Sequence, residues 1–176
     1  MEECSFNYTF LNDTYPAYYI KSLEKASDVL TKAMSIDTVF AIDTETMANP
    51  LYVNTPEPGL SPHRGWIRLI QIFSGRSVLV LDMYEYYDRA DRDPHLDVLI
   101  KFLNTKKFIA HNALFDLKFF KQLGAKNMQI GCTMLLAKVL MHAVYATDEG
   151  LTFSLKGLAE SLFGEGLLKH MQTSDW

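Results

Sequence analysis

Asp43 and Glu45 stand one residue apart at the end of the most apolar strand-like run in the chain, residues 38–43. In extended backbone, positions two apart face the same side, so both side chains project into one space. Two carboxylates on one face repel and raise each other's pKa unless a cation lies between them. The ligand such a pair favours is a hard dication, Mg²⁺ or Mn²⁺, because neither His nor Cys adjoins it to favour a softer metal. Taken alone, the pair is more readily read as a turn-capping Asp43 and a solvated Glu45. A second constellation follows at residues 109–116, where another apolar run passes through His111 and Asn112 into a helical pattern carrying Asp116. Asn112 and Asp116 are four apart, which predicts one shared helical face. Leu117, Phe119 and Phe120 supply the core side, so Asp116 is expected on the flank of an apolar helix.

Elements must position these groups. Residues 6–11 alternate as a first strand, and 12–16 have turn chemistry that would end it. Leu23, Ala26, Val29, Leu30 and Ala33 recur at spacings of three and four, which predicts a helix over 22–34. Residues 38–43 read as a buried central strand whose carboxyl end opens onto a site. Four of the six prolines fall within 47–65, marking an irregular loop of a length that is usually functional or mobile. Residues 66–73 and 78–81 flank a Gly75-containing turn, a hairpin signature, and with 38–43 predict an antiparallel meander. Helices are then expected at 95–103, 112–123, 133–142 and 154–163, with Gly124 and Gly164 as C-terminal caps. Short strands are expected at 108–110 and 128–130, and a polar connector at 145–150. Strands followed by alternating helices and strands argue for an α/β mixed sheet flanked by helices.

Composition bounds the function. The chain has 176 residues, 48% hydrophobic and 22% charged, with a formal charge of −4, which suits one domain spanning 1–176 and excludes a generally basic coat for nucleic acid. Cys4 and Cys132 form no CxxC pairing, so neither a disulfide framework nor a structural zinc site is indicated. Glu2 and Glu3 occupy the place where a signal peptide carries positive charge, and no run approaches the roughly 20 apolar residues of a membrane span. A soluble, cytoplasmic protein without membrane partners is expected. His63, His95, His142 and His170 show no ligand spacing. Ser61, Ser74 and Ser154 lack the context of a nucleophile elbow, and glycine-rich phosphate loops are absent. Tyr84, Tyr86 and Tyr87 read either as base-stacking rings or, more simply, as buried rings of a connector. Arg64, Arg68, Arg76, Lys118 and Lys121 are the nearest candidates for phosphate contacts.

The two acidic constellations carry a resemblance. Ala41-Ile42-Asp43-Thr44-Glu45-Thr46 resembles the first motif of the DEDD 3′ to 5′ exonuclease superfamily, and His111-Asn112-Ala113-Leu114-Phe115-Asp116 resembles the second. Residues 66–72 are similar to the core strand after the first motif in ribonuclease D and in the proofreading domains of family A DNA polymerases. Residues 169–176 resemble the K-x-x-Q-x-S-D-W segment that approaches the third motif in those groups. The resemblance implies a ribonuclease H-like fold and hydrolysis of a terminal phosphodiester by two cations about 4 Å apart.

It implies roles as well. Asp43 would bridge both ions, Glu45 would bind one and approach the terminal 3′ hydroxyl, and Asp116 would hold the second. Thr44, Thr46, His111 and Asn112 would contact substrate, Thr46 through its backbone. The implied cofactors are two Mg²⁺ or Mn²⁺ ions. The implied partner is a single-stranded 3′ end, DNA before RNA, and a polymerase is a further implied partner. The product would be a nucleoside 5′-monophosphate. The family's third motif, Tyr-x-x-x-Asp or His-x-x-x-x-Asp, would lie on a helix beyond Trp176, and neither Tyr145 with Asp148 nor Asp175 matches it. The expectation is therefore a missing C-terminal helix and weak activity of this chain alone, the alternative being a catalytically incomplete binding or interaction module of the same fold.

Overall fold

The computed structural model describes residues 4–10, 12–36, 38–87, 93–145 and 153–164. Seven strands form one mixed sheet: β1 (Cys4–Phe10), β2 (Asp13–Ile20), β3 (Val39–Ala48), β4 (Gly65–Phe73), β5 (Val78–Asp82), β6 (Lys107–Ala110) and β7 (Gln129–Cys132). Their spatial order is β1-β2-β5-β4-β3-β6-β7. The expected meander is present, since β3, β4 and β5 are antiparallel neighbours, while β6 joins β3 and β7 joins β6 in parallel. Among the described residues six helices accompany the sheet: α1 (Leu23–Met34), α2 (Tyr84–Tyr87), α3 (Leu96–Thr105), α4 (Leu114–Leu123), α5 (Thr133–Tyr145) and α6 (Leu155–Phe163). None is long and apolar enough to cross a membrane among the described residues.

Local chemistry explains the boundaries. The Ser22 hydroxyl accepts from the Lys25 N–H at 3.4 Å and opens α1, and Ser154 does the same for α6 through Gly157 at 3.1 Å. Gly124 (φ 119°) ends α4 in the left-handed region, where a side chain would be strained. The core gathers on β3 and its neighbours: the Phe40 ring lies 5.1 Å from Phe102 and 6.1 Å from Phe108, with Leu99, Leu103, Phe119 and Phe120 buried around them. Burial of rings this large, each stabilising by about 2–3 kcal/mol, holds α3 and α4 against the sheet.

Three expectations are corrected. Residues 13–16 are not a turn: they begin β2, which pairs with β1 from Asp13 onward. Pro16 is tolerated there because β5 meets β2 only from Ala17, so the proline sits where one side of the strand is an edge. The central strand does not stop at Asp43. It continues to Ala48 because β4 pairs with it along that whole length, and this places Asp43 and Glu45 inside a strand. Third, Asn112 is not helical, as described below.

The ladder between β3 and β4 carries one irregularity. Glu45 pairs with Leu69 but Thr46 pairs with Ile67, so Arg68 is the extra residue of a bulge beside the second carboxylate. Arg68 is committed to the fold: its guanidinium pairs with the buried Asp82, which also accepts from the Tyr19 hydroxyl and, at 2.9 Å, from the Tyr84 N–H. It is therefore not a free phosphate contact. Tyr87 stacks on Trp66 at 4.5 Å and its hydroxyl accepts from the Ile67 N–H at 3.1 Å, the packing role that was the simpler reading.

The loop at 49–64 is built on internal bonds. Two short 3₁₀ turns, Pro50–Tyr52 and Pro58–Leu60, lie in it. Asn49 N–H donates to the Arg64 carbonyl at 2.9 Å, and the Thr46 hydroxyl donates to the Gly59 carbonyl at 2.6 Å. At the exit, a Cβ on Gly65 would lie 2.8 Å from the Pro58 oxygen and 3.0 Å from the Gly59 Cα. Backbone cannot yield as a flexible side chain would. Gly65→Ala is expected to cost about 1–3 kcal/mol, read as a lowered midpoint in urea unfolding; an unchanged midpoint would show that the loop is loosely held.

Candidate active site

The site begins where β6 ends. β6 pairs with β3 only from Val39↔Lys107 to Ala41↔Ile109, then turns at residues 111–113 into α4. Asn112 takes φ 60° in that turn, a left-handed conformation that asparagine tolerates better than most residues. It precedes the helix, so the shared helical face expected for Asn112 and Asp116 does not exist. What joins the constellation is a turn: the Phe115 N–H donates to the Asn112 carbonyl at 2.9 Å.

The turn carries Asp116 back to β3. Its Oδ1 accepts from the Thr44 N–H at 3.1 Å and from the Thr44 hydroxyl at 2.7 Å. The backbone donor lies beyond the last pairing with β6, so a side-chain oxygen continues the hydrogen bonding where the strand stops. Asp116 is 2% exposed, not on the helix flank as its apolar neighbours suggested. Thr44 is buried as well. Its hydroxyl is engaged by Asp116, so the side chain of Thr44 is committed within the site.

Asp43 is solvent-exposed and Glu45 half-buried. The surroundings of Asp43 nevertheless raise its pKa to about 6, first through desolvation and then through the negative charges of Asp116 and Glu45. Glu45 is raised by desolvation and by Asp116. Asp116 is raised by burial, against which the Thr44 donors pull it down. Mutual repulsion places these three carboxylates in one electrostatic neighbourhood. The set is all oxygen, the donor chemistry that Mg²⁺ and Mn²⁺ take. Among the described residues no three His, Cys, Asp or Glu side chains close on one point as metal ligands do. The donor types fit a hard dication, and closing on one requires movement of the exposed Asp43 and the half-buried Glu45.

Two further candidates are placed beside them. The His111 Nδ1 lies 3.0 Å from the Thr133 hydroxyl, which donates to the Ala110 carbonyl at 3.3 Å. Thr133 was not anticipated, since a threonine opening a helix carries no distinctive signal. Asp43, His111 and Thr133 line a cavity of about 460 Å³ floored by apolar residues such as Ala41, Ile72 and Ile109. Thr46 sits one residue past Glu45 with its hydroxyl on the loop. Residues 165–176, including the K-x-x-Q-x-S-D-W segment, and Asp148 lie outside the described residues.

With the geometry in place, comparison with known proteins decides the family. The family model described as 3′-5′ exonuclease matches residues 17–176. The chain belongs to this family. DNA polymerase I of Aquifex aeolicus is 29% identical over 126 residues, 72% of this chain and 18% of the polymerase, so the chain spans under a fifth of that relative's length. Among solved structures, ribonuclease D of Escherichia coli superposes with a TM-score of 0.64, with 18% identity over 90% of this chain and 36% of its own. NrnC of Brucella melitensis bound to pGG gives 0.58, with 25% identity over 91% of this chain and 64% of its own. The expected α/β fold of the ribonuclease H-like exonucleases is thereby established for the sheet and its flanking helices.

The raised pKa values give stability a pH dependence. With a folded pKa of about 6 against the ordinary 3.8, Asp43 favours the folded state below pH 4, where it is protonated in both states, and that contribution is lost as pH rises through 6. Asp43→Asn removes the loss. It is expected to raise stability at pH 7.5 by about 1 kcal/mol, after allowance for the solvent around this exposed side chain. The gain should vanish near pH 4, and melting curves at the two pH values check it: an equal gain at both would remove ionisation as the cause.

Proposed function

We propose that this member of the 3′-5′ exonuclease family hydrolyses the terminal phosphodiester at the 3′ end of single-stranded nucleic acid, DNA before RNA, releasing nucleoside 5′-monophosphates. The observation that carries this reading is the hydrogen bonding of Asp116 to Thr44, the residue between Asp43 and Glu45, which brings a carboxylate of α4 into one electrostatic neighbourhood with the two of β3. Asp43, Glu45 and Asp116 would hold two Mg²⁺ or Mn²⁺ ions, Asp43 lying between the other two roles. Bound there, the ions supply positive charge to the attacking and leaving oxygens of an in-line displacement.

The remaining residues bind and orient. Asp116 is the held carboxylate, fixed to Thr44, whereas Asp43 and Glu45 move to meet the substrate. Glu45 is set to approach the terminal 3′ hydroxyl, and the backbone at Thr46 to contact the last nucleotide. Leu60, 59% exposed and next to the Gly59 that Thr46 holds, offers apolar contact to a base. Asn112 and His111, on the turn ahead of α4, face the strand near the scissile bond. Lys118, exposed on α4 two residues past Asp116, is available to a phosphate. Water adds to the phosphorus, the bond to the 3′ oxygen breaks, and the shortened strand keeps a 3′ hydroxyl.

DNA as the strand extends this proposal from the 29% identity to a DNA polymerase, and a polymerase partner and action in the cytoplasm are further parts of the same proposal. Incubation of a 3′-labelled single strand with Mn²⁺ is expected to release labelled mononucleotide, to stop on chelation, and to fall by about 100-fold or more in Asp43→Asn and Asp116→Asn. DNA and RNA strands of one sequence, run in parallel, test the preference. Strand binding without release in either cation would point instead to a nucleic-acid-binding module, and release unaffected by Asp116→Asn would overturn the assignment of the site.

A further inference from the structure

Thr44 is the residue between the two carboxylates of β3, and its side chain points away from them into the core. Alternation along the strand requires this: Asp43 and Glu45 share one face, and Thr44 belongs to the other. A residue in that place needs only to be apolar for packing. Instead it carries a hydroxyl, buried and spent on Oδ1 of Asp116 at 2.7 Å, with its own N–H on the same oxygen at 3.1 Å. Two donors on one oxygen fix both the position of the carboxylate and its rotation about the last side-chain bond. Oδ2 is left as the oxygen that Thr44 does not engage.

We propose that Thr44 is the positioning residue of the site, holding Asp116 in the one orientation from which its second oxygen can take a dication. This rests on the reading of the site as a dication-dependent exonuclease. Its physical basis is an asymmetry among the three carboxylates: Asp116 is buried and tethered, while Asp43 is exposed and Glu45 half-buried. A site whose ligands are not closed on one point must be gathered by the incoming ion. Gathering three free carboxylates costs more ordering than gathering two onto a third already in place. The Thr44 hydroxyl lowers that cost without touching ion or substrate.

The test uses Thr44→Val, which keeps the shape and removes the hydroxyl, and Thr44→Ser, which keeps the hydroxyl. Mn²⁺ binding is measured on the full chain without nucleic acid, by isothermal titration, and the Mn²⁺ dependence of mononucleotide release is measured separately. Thr44→Val is expected to weaken Mn²⁺ binding by about 10- to 100-fold, the usual effect of losing a hydrogen bond to a ligating group. The Mn²⁺ concentration for half-maximal rate should rise in parallel, while the rate at saturating Mn²⁺ falls less. Thr44→Ser should stay within about threefold of the parent in both. Circular dichroism checks folding, and Thr44→Cys replaces the valine variant if that one does not fold.

Binding by Thr44→Val equal to the parent's overturns the proposal, as does a serine variant as weak as the valine one, and so does a parent chain that binds no Mn²⁺. A parent that binds Mn²⁺ but releases no nucleotide overturns the exonuclease reading while the binding comparison still decides the role of Thr44. A parent that releases nucleotide with Thr44→Val unaffected overturns the role of Thr44 alone.

Discussion

The early end of β6 is the constraint on which the site depends. Parallel strands normally satisfy each other's backbone along their whole length. Here the pairing of β3 with β6 ends at Ala41 and Ile109, and β3 continues through Asp43, Thr44 and Glu45 with that edge open. An open edge at the centre of a sheet leaves donors to be satisfied by something other than a strand. The chain meets the need at Thr44 with the carboxylate of Asp116, delivered by the turn at Asn112 and the first turn of α4. One hydrogen bond thereby closes the sheet and brings the acidic group of the second constellation to the first.

Two buried aspartates show how differently the fold treats negative charge. Asp82 and Asp116 are equally inaccessible, at 3% and 2% exposure. Asp82 is surrounded by compensation: the Arg68 guanidinium, the Tyr19 hydroxyl and the Tyr84 N–H. It clasps β2, β4 and β5 and has no charge left to offer. Among the described residues Asp116 receives neutral donors, the two groups of Thr44 and its own backbone N–H, and its charge acts on Asp43 and Glu45. A buried charge without a cationic partner is costly. That expense has no structural purpose, since an asparagine at 116 would accept the same two bonds, and it is the kind of cost found where charge is needed for chemistry.

Most of the architecture was readable because apolar periodicity reports burial. The helices at 23–34, 96–105 and 155–163, the hairpin around Gly75 and the parallel strands after α3 all follow from it. The misreadings share a cause, which is that pairing partners are invisible along the chain. Residues 13–16 have turn chemistry, but β1 holds them extended. Residues 44–48 are too polar to read as a buried strand, yet β4 supports them. Asn112 was placed on a helix because four-residue spacing suits one, and the left-handed turn it forms leaves no periodic trace. The carboxylates themselves were found by type and spacing, whereas the role of Thr44 was not, because nothing in the residues 43–45 says which of them faces inward onto a group 72 positions away.

The loop at 49–64 is tied to the strand that carries the site. Its proline content and length suggested either function or mobility, and the bonds from Asn49 to Arg64 and from Thr46 to Gly59, with the close approach at Gly65, hold it against β3. The rim beside Glu45 is therefore set in advance, as Asp116 is on the opposite side. The bulge at Arg68 is pinned in turn by Asp82, so the backbone at Glu45 is held from the β4 side. Of the three carboxylates, Asp43 and Glu45 are the more exposed, and Asp116 is the one tethered to β3. A rigid frame around two adjustable carboxylates is an arrangement in which an arriving cation does its ordering work on a few rotatable bonds rather than on the fold, and this keeps the entropic cost of closing the site small.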